Sequence, residues 1–263
     1  MMSEERARAA SDLLFRLWRD GGRLPALPEP LRPATRADGY AVQALLEERT
    51  DRPLFGWKIA ATSREGQAHI GVDGPLAGRL LAERACDSGA ELPLGANYMR
   101  VVEPEFAFRM ARDLAPRASP YGTDEVLDAV ATLHPAIEVP DSRYDDFASV
   151  GAPQLIADNA CAHLFVLGPA TRADWRAMDL ARHRVVGSVA GKTEREGRGA
   201  NVLGDPGLAL TWLVNELSRF GLALRVGQVV TTGTCVMPLP VSEGDEASAD
   251  FGVLGKASVR FAR

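Results

Sequence analysis

Acidic and apolar side chains alternate in one short segment, and this spacing can build a cation site. In Val102-Glu-Pro-Glu-Phe-Ala-Phe108 the pattern repeats with period two, which places Glu103 and Glu105 on one face of a β-strand. Two carboxylates beside an apolar face that must be buried repel each other and lose hydration free energy. A positive partner is therefore expected close to both.

A distant apolar segment offers a third carboxylate. Glu138 is the only charged residue from Leu133 through Pro140, and an ionised glutamate is rarely buried without a partner. Three carboxylates form an all-oxygen ligand set that favours Mg²⁺ or Mn²⁺ over zinc, although His134 is near. The alternative is an acidic edge strand without an ion, in which Glu103 and Glu105 face solvent far from Glu138.

A lysine in an apolar strand is the candidate partner for these acids. In Phe55-Gly-Trp-Lys-Ile-Ala60 the side chains of Trp57 and Ile59 point to the face opposite Lys58. A surface lysine is the ordinary interpretation. The functional hypothesis is that Lys58 projects toward the carboxylates, where it binds an anionic substrate or transfers a proton. That role is open to it because a desolvated lysine titrates closer to neutrality.

The elements that must position these residues change in character near residue 50. Apolar residues at helical spacing predict a helix over Ser11–Asp20, and Thr35 is the expected cap of a second helix that ends near Thr50. The proline-rich segment Leu24–Pro33 connects the two. We predict a helical N-terminal subdomain at residues 1–50 and a catalytic domain at residues 51–263.

Short strands separated by turn residues dominate the rest of the chain. The predicted strands are Phe55–Ala60, Arg100–Met110, Ala136–Val139, Ala162–Leu167, Arg184–Val189, Gln228–Thr232 and Ala257–Phe261. Two predicted helices, Thr123–Leu133 and Gly207–Phe220, interrupt them. Strands in irregular order with few helices favour an α+β fold with a mixed, folded-over sheet.

Composition excludes several functional classes. The chain has 263 residues, is 46% hydrophobic and has a net charge of −5, so it can bury a large core but has no basic surface for nucleic acid or an anionic membrane. No apolar run reaches the roughly 18 residues of a membrane span, and the charged N-terminus is unlike a signal peptide. Three widely spaced cysteines match neither a disulfide framework nor a zinc site, which favours the reduced cytoplasm.

Short motifs in a fixed order extend the pattern over nearly the whole chain. They are Gly56-Trp-Lys-Ile-Ala60, Gly71-Val-Asp-Gly-Pro75, Val102-Glu-Pro-Glu-Phe-Ala-Phe108, Pro135-Ala-Ile-Glu-Val-Pro-Asp-Ser-Arg143, Ala157-Asp-Asn-Ala160, Gly197-Arg-Gly199, Leu203-Gly-Asp-Pro206, Trp212-Leu-Val-Asn215, Gly227 and Thr232-Gly-Thr234. In these motifs the chain resembles the 2-oxopent-4-enoate (2-hydroxypentadienoate) hydratase and 4-oxalocrotonate decarboxylase group of the fumarylacetoacetate hydrolase superfamily.

The resemblance implies a fumarylacetoacetate-hydrolase-like mixed β-sheet roll with the helical N-terminal part packed against it. It also implies a Mg²⁺ or Mn²⁺ ion held by Glu103, Glu105 and Glu138, with acid–base chemistry at Lys58. A small 2-oxo acid is the expected substrate, and members of the group commonly form homo-oligomers.

The chain departs from the pattern of the hydratases at two positions. Leu76 stands where the hydratases usually carry a second acid, which is a proposed proton-transfer group. Gln228 replaces an acid that usually follows the glycine at position 227. Asp73 remains as a candidate acid or base, with His69 nearby. By analogy, and because glycine permits close approach, Thr232, Gly233 and Thr234 are expected to line the substrate carboxylate.

The expected reaction is that of a metal-dependent hydro-lyase. A 2-hydroxy-2,4-dienoate ketonises, and water adds to give a 4-hydroxy-2-oxo acid. Two alternatives keep the site and change the chemistry: decarboxylation of a 4-oxalocrotonate-like 2-oxo dioate, and hydrolytic C–C cleavage of an acylpyruvate. A third alternative, suggested by Leu76, is a protein that binds a 2-oxo acid without turning it over.

Overall fold

A computed structural model describes residues 2–263 of the chain. Within this range the α-helices are Glu4–Asp20 (α1), Arg36–Ala44 (α2), Arg64–His69 (α3), Thr123–Asp128 (α4), Ala152–Ala157 (α5) and Pro206–Arg219 (α6). Short turns of 3-10 type lie at Glu29–Leu31, Leu45–Arg49, Ala82–Arg84, Phe147–Ser149, Asn159–Cys161, Trp175–Ala177, Gly199–Asn201 and Gly252–Leu254. None of the helices in residues 2–263 is both long and apolar enough to cross a membrane.

The strands form two sheets. They are Gly56–Ala60 (β1), Leu76–Leu80 (β2), Ala85–Asp87 (β3), Ala90–Leu92 (β4), Val101–Met110 (β5), Val130–Val139 (β6), Leu164–Leu167 (β7), Arg184–Val189 (β8), Thr193–Arg198 (β9), Val229–Thr234 (β10), Leu239–Pro240 (β11), Glu246–Asp250 (β12) and Lys256–Phe261 (β13). The larger sheet has the order β2-β1-β10-β5-β6-β7-β3, with β11 paired to β5, and the smaller has β4-β13-β12-β8-β9. Each combines parallel and antiparallel pairs, so the prediction of a mixed α+β fold is confirmed.

The second N-terminal helix is capped as the sequence predicts. The side chain of Thr35 accepts a hydrogen bond from the Asp38 N–H, and the Asp38 carboxylate accepts one from the Thr35 N–H, which completes a capping box for α2. Helix α1 begins earlier than Ser11, because Ser3 caps it and acidic residues fill its first turn.

These helices share a buried cluster with the β-rich part of the chain. The cluster consists of Ala7, Ala10, Leu14, Leu27, Val42, Tyr144 and Ala157. Because Tyr144 and Ala157 lie far beyond residue 50, the helices bury their apolar faces against the larger part of the molecule. The division of the chain at residue 50 stays a prediction.

The expected helix Thr123–Leu133 is wrong in its second half. Helix α4 ends at Asp128, and Val130 already belongs to β6, six residues before the predicted start of that strand. Leu133 pairs with Phe108, and both are buried. The apolar residues that suggested a helix therefore gain more burial as a strand beside β5, and tertiary packing overrides local propensity.

Several strands escape detection from the sequence, for different reasons. Strand β9 consists mostly of charged residues and has no apolar face, and β2 is buried along its whole length, so neither shows the alternation of a half-buried strand. Both are instead defined by pairing with a neighbour, β8 and β1 respectively.

The apolar face of β5 packs between the two sheets. Val102, Phe106 and Phe108 are buried on the face opposite the glutamates, as the period-two pattern predicts. The Phe106 ring meets Phe251 edge to face, with ring centroids 4.9 Å apart. This contact ties the strand that carries Glu103 and Glu105 to the smaller sheet, since Phe251 follows β12 directly.

Replacement of Phe106 by alanine tests this packing. We expect Phe106→Ala to lower the free energy of unfolding by about 3–5 kcal/mol, because the side chain is fully buried and leaves a cavity. Urea unfolding followed by circular dichroism measures the change. Val253→Ala is the matched control, since Val253 is 72% exposed and its loss should cost less than about 0.5 kcal/mol. Equal effects of the two substitutions would contradict the interpretation.

Candidate metal and active site

Strand register brings the three predicted carboxylates together. Glu103 lies directly opposite Glu138 in the β5–β6 pair, and Glu105 is two residues further along the same face. One carboxylate oxygen from each of the three lies within 4.8 Å of the other two. Glu105 and Glu138 are fully buried and Glu103 is partly exposed. The alternative of a solvent-facing acidic strand far from Glu138 is therefore wrong.

The hydrogen bonds of this cluster leave acceptor atoms for a cation. Glu105 Oε2 accepts from the Gly233 N–H at 2.8 Å and from the Thr231 hydroxyl, whereas its Oε1 has no donor. Both oxygens of Glu138 are buried without a hydrogen bond, although Oε1 lies 3.1 Å from Lys58 Nζ. Two carboxylate oxygens without a partner, Glu105 Oε1 and Glu138 Oε2, beside a third that faces the ammonium fit a hard divalent ion, which binds through oxygen.

Burial and mutual repulsion shift the protonation of the cluster. Burial, followed by the charge of Glu138, raises the pKa of Glu103 to about 7, against the opposing charge of Lys58. The same two causes, with Glu103 in addition, raise the pKa of Glu105 well above its ordinary value. Burial also raises the pKa of Glu138, and the positive charge of Lys58 partly offsets this rise. Each acid is thus more easily neutralised here than in water.

Lys58 projects toward the carboxylates as expected, but the expected lowering of its pKa is wrong in direction. Burial lowers the pKa of Lys58, but the charges of Glu138, Glu103 and Glu105 together outweigh burial and raise it above the ordinary value. Without a cation, Lys58 is therefore a firmly charged ammonium among carboxylates rather than a lysine near neutrality. Its side chain is 3% exposed, so it is not a surface lysine.

A glycine that sequence reasoning missed makes room for this lysine. Gly78 lies opposite Lys58 in the β1–β2 pair. A Cβ on Gly78 would stand 3.0 Å from Lys58 Cγ and 2.4 Å from the Asn159 carbonyl oxygen. Lys58 Nζ then donates to the Ala160 carbonyl at 3.0 Å. The lack of a side chain at Gly78 therefore lets Lys58 cross β2 to reach both Ala160 and Glu138.

A second residue missed from the sequence is Thr231, which register alone identifies. It lies opposite Lys58 in the parallel β1–β10 pair and its hydroxyl donates to Glu105. The next donor to the same oxygen, Gly233, has φ +97°. A Cβ there would stand 2.2 Å from Thr62 Oγ1. Only glycine fits that conformation, which turns the Gly233 N–H toward Glu105.

The two threonines of the predicted substrate segment use their hydroxyl hydrogens within the protein. Thr232 Oγ1 donates to the Phe106 carbonyl at 3.1 Å, and Thr234 Oγ1 donates to the Val236 carbonyl. Thr232 is fully buried and Thr234 is partly exposed. That Thr232, Gly233 and Thr234 line a substrate carboxylate stays a prediction, and it would require their backbone or oxygen lone pairs.

Asp73 is not brought into the cluster. Its side chain is 89% exposed, and its carboxylate lies 3.6 Å from Arg36 Nη1. His69, at the end of α3, is also exposed and packs its ring edge against Phe147. The structure thus places neither candidate acid or base among the glutamates. The assignment of Asp73 as a catalytic residue stays a prediction.

Leu76, by contrast, belongs to the face of the site. It lies two residues before Gly78 on β2, so both are on the face of Lys58, and its partner across the β1–β2 pair is Ala60. Leu76 is 1% exposed and packs in the main hydrophobic core. An apolar side chain with an alanine opposite therefore occupies the position where an acid was expected.

Similarity to known proteins agrees with this fold and site. The fumarylacetoacetate (FAA) hydrolase C-terminal family model matches residues 85–262, and the chain belongs to the fumarylacetoacetate hydrolase family. The 2-keto-4-pentenoate hydratase 1 of Dechloromonas aromatica (strain RCB) is 33% identical over 261 residues, which cover 97% of this chain and 96% of the relative. The 2-hydroxyhexa-2,4-dienoate hydratase of Comamonas testosteroni is 30% identical over 218 residues, 82% and 81% of the two chains.

A solved structure extends the similarity to the whole backbone. The 4-oxalocrotonate decarboxylase from Pseudomonas putida G7, complexed with magnesium and adipate, matches with a TM-score of 0.90 at 26% identity. The match covers 99% of each chain. The resemblance to the hydratase and decarboxylase group is confirmed, and so is the expected fumarylacetoacetate-hydrolase-like fold.

The raised carboxyl pKa values predict how the metal-free protein responds to pH. The unfolded chain releases these protons near pH 4.5 and the folded site holds them to higher pH, so at intermediate pH the folded state carries more protons than the unfolded state. We therefore expect this cluster to lower the free energy of unfolding between about pH 4.5 and 7. The raised pKa of Lys58 adds no slope in this range, because that lysine is charged in both states.

Urea unfolding in a chelating buffer from pH 5 to 8 measures the slope of the free energy of unfolding against pH. Glu103→Gln should flatten it, since this substitution removes one titrating group and part of the repulsion on Glu105. Glu91→Gln, at an exposed position on β4, is the matched control and should leave the slope unchanged. A wild-type slope that Glu103→Gln does not alter would contradict the raised pKa.

Proposed function

We propose that the protein is a divalent-metal-dependent hydro-lyase that converts a 2-hydroxy-2,4-dienoate into a 4-hydroxy-2-oxo acid. The observation that carries the proposal is the buried cluster of Glu103, Glu105 and Glu138 with Lys58 Nζ 3.1 Å from Glu138 Oε1. Its support from known proteins is the similarity to hydratases named for 2-keto-4-pentenoate and 2-hydroxyhexa-2,4-dienoate over most of the chain.

Mg²⁺ or Mn²⁺ is the proposed cofactor, and Glu103, Glu105 and Glu138 are the residues that would hold it. Bound there, the ion supplies a Lewis acid for the oxygen on which negative charge gathers as a 2-oxo acid forms its enolate. The unpartnered oxygens of Glu105 and Glu138 support this assignment. The similar decarboxylase is described with magnesium in one complex and calcium in another, which supports a hard cation.

The chain itself must handle the protons. Ketonisation moves a proton from the 2-hydroxyl to carbon, and hydration then places a hydroxyl on C4 and a proton on C3. We assign these transfers to Lys58, which lies beside the carboxylates and is shielded from water by β2 and the 159–161 turn. A bound divalent ion would offset the carboxylate charges that keep Lys58 protonated, so its amine could accept the 2-hydroxyl proton and return it to carbon. Solvent reaches the cluster on the side of Glu103, its partly exposed member. Asp73 takes no step in this proposal, because it faces solvent beside Arg36.

Decarboxylation of a 2-oxo dioate is the second candidate, and Leu76 is the observation that favours it. Loss of CO₂ leaves an enolate that needs one proton and no added water. A site with a leucine where a second acid was expected can therefore complete it. The close backbone match to a 4-oxalocrotonate decarboxylase supports the same candidate. Hydrolytic cleavage of acylpyruvates would require an activated water and has no such support.

A substrate panel tests the proposal. We expect purified protein with Mg²⁺ to consume 2-hydroxypentadienoate, seen as loss of dienol absorbance without release of CO₂, and to lose this activity in a chelator. CO₂ release from 4-oxalocrotonate, with no hydration, would favour the decarboxylase. Metal-dependent binding of these acids without turnover would indicate a binding protein. Light scattering of the same sample reports self-association, which we infer from the family resemblance.

The ligand assignment predicts a large loss of activity from one conservative change. Glu105→Gln should lower kcat/KM at least about 100-fold, ~2.7 kcal/mol in the transition state, because it removes a charged ligand and keeps the shape. Calorimetry should show weaker Mg²⁺ binding, and circular dichroism should show an unchanged fold. The exposed substitution Glu91→Gln is the control, with activity close to wild type. Full activity of Glu105→Gln would contradict the assignment.

Leu76 can be tested as the residue that sets the balance between reactions. We expect Leu76→Asp to raise the ratio of hydration to decarboxylation about tenfold, ~1.4 kcal/mol, by supplying an acid on the face of Lys58. Leu76→Asn has nearly the same shape and cannot exchange a proton, so it serves as the matched control. Equal ratios in the two variants would show that an acid at this position does not decide the reaction.

A further inference from the structure

We propose that the turn Asp158–Cys161 is a positioning device that holds Lys58 through the Ala160 carbonyl. The inference rests on the proposed function, in which Lys58 transfers protons, and it explains what holds Lys58 in position for that role. It concerns four residues to which the proposed function assigns no step: Asn159, Ala160, Arg143 and Asp158.

The backbone of this turn adopts a rare conformation. Asn159, Ala160 and Cys161 have φ values of +56°, +50° and +62°. Three consecutive non-glycine residues in the left-handed region are unusual, because the Cβ atom of an L-residue crowds the neighbouring carbonyl there. Such a turn persists only when the surrounding structure holds it, and it is typical of sites where geometry matters.

A buried ion pair holds the beginning of the turn. Arg143 Nε donates to Asp158 Oδ1 and Arg143 Nη2 donates to the Asp158 carbonyl. The remaining carboxylate oxygen, Oδ2, accepts from the Arg143 N–H at 3.0 Å and from the Ser142 hydroxyl at 2.8 Å. Both charged residues are at least 98% buried. With every oxygen of Asp158 engaged, the start of the turn has no freedom to rotate.

The side chain of Asn159 fixes the turn to the sheet. Its Oδ1 accepts from the Arg79 N–H at 2.6 Å, and its Nδ2 donates to the Arg79 carbonyl at 2.8 Å. Arg79 lies on β2 next to Gly78, the residue opposite Lys58. The amide thus sets the distance between the turn and the strand that Lys58 must cross.

One carbonyl in the turn is left for Lys58. The Asp158 carbonyl accepts from the Cys161 N–H, the Asn159 carbonyl from the Ala162 N–H and the Cys161 carbonyl from the Asp141 N–H. Ala160 receives no such backbone bond among the described residues, and its carbonyl accepts from Lys58 Nζ at 3.0 Å. Because a buried carbonyl requires a donor, the turn and Lys58 satisfy each other.

This arrangement assigns the hydrogens of the ammonium. Lys58 has three N–H donors: one bonds to Ala160, and a second faces Glu138 at 3.1 Å. The third is free for the reacting molecule. Without the turn the ammonium loses the contact with the Ala160 carbonyl that fixes its position, which lowers kcat while substrate binding is largely kept.

Two substitutions of Asn159 test the proposal. Both Asn159→Gly and Asn159→Ala remove the amide contacts to Arg79, and glycine adopts the positive φ without strain, so that variant keeps the fold accessible. We expect each to lower kcat about tenfold with KM within twofold of wild type. Mg²⁺ affinity measured by calorimetry should be unchanged, because the turn forms its hydrogen bonds with Lys58 and Arg79 and not with the three glutamates.

The matched control introduces glycine at a positive-φ residue outside the site. Arg100 has φ +46° and is exposed, so Arg100→Gly should leave kcat at the wild-type value. A kcat within twofold of wild type in both Asn159 variants would overturn the proposal, and so would a rise in KM at constant kcat or a parallel loss of Mg²⁺ affinity. These last two results would show that the turn acts on substrate or metal rather than on Lys58.

Wild-type turnover separates this inference from the proposed function. If the wild type turns over no member of the panel, the proposed function fails, and crystal structures decide the positioning role. Loss of the Lys58–Ala160 contact in Asn159→Gly, with the contact present in the wild type, would support the proposal. An unchanged contact in the variant would overturn it.

Discussion

Mutual repulsion among three carboxylates buried in one sheet is the constraint on which this molecule depends. Glu105 and Glu138 are excluded from water, and Glu103 is only partly exposed. Lys58 supplies one positive charge, which leaves the cluster negative when all three acids are ionised. Without a cation the protein must either keep protons on these groups or lose folding free energy. A divalent ion would remove this conflict, so ion binding and folding stability are linked.

Four adjacent strands place the carboxylates and the groups that bind them on one face of the larger sheet. Strands β1, β10, β5 and β6 lie side by side, and their register places Lys58, Thr231 and the glutamates on one face. Small residues occupy the same face, with Ala136 opposite Glu105 and Gly78 opposite Lys58. The opposite face is apolar and packs on the smaller sheet. The sheet therefore separates an electrostatic side from a hydrophobic side within a single layer.

Metal ligands alone do not select a reaction in such a site. Enolate formation from a 2-oxo acid leads to protonation, hydration or loss of CO₂, and the outcome depends on which groups give and take protons. In this chain few groups near the cluster can transfer a proton. Lys58 faces the carboxylates, and Leu76 lies on the same face but has no proton to donate. Asp73 points to solvent. Accurate placement of Lys58 by the 158–161 turn then matters more than it would with a second acid present.

The sequence by itself indicated the three carboxylates of the cluster and the class of fold. Period two in β5 revealed Glu103 and Glu105, and an isolated charge revealed Glu138, because alternation and charge are local properties. Tertiary structure decided that β6 begins at Val130 rather than within a helix, that Thr231 supports Glu105, that Gly78 admits Lys58 and that Asp73 lies outside the site. Those features depend on strand register and on contacts between residues far apart in the chain. No local pattern encodes them.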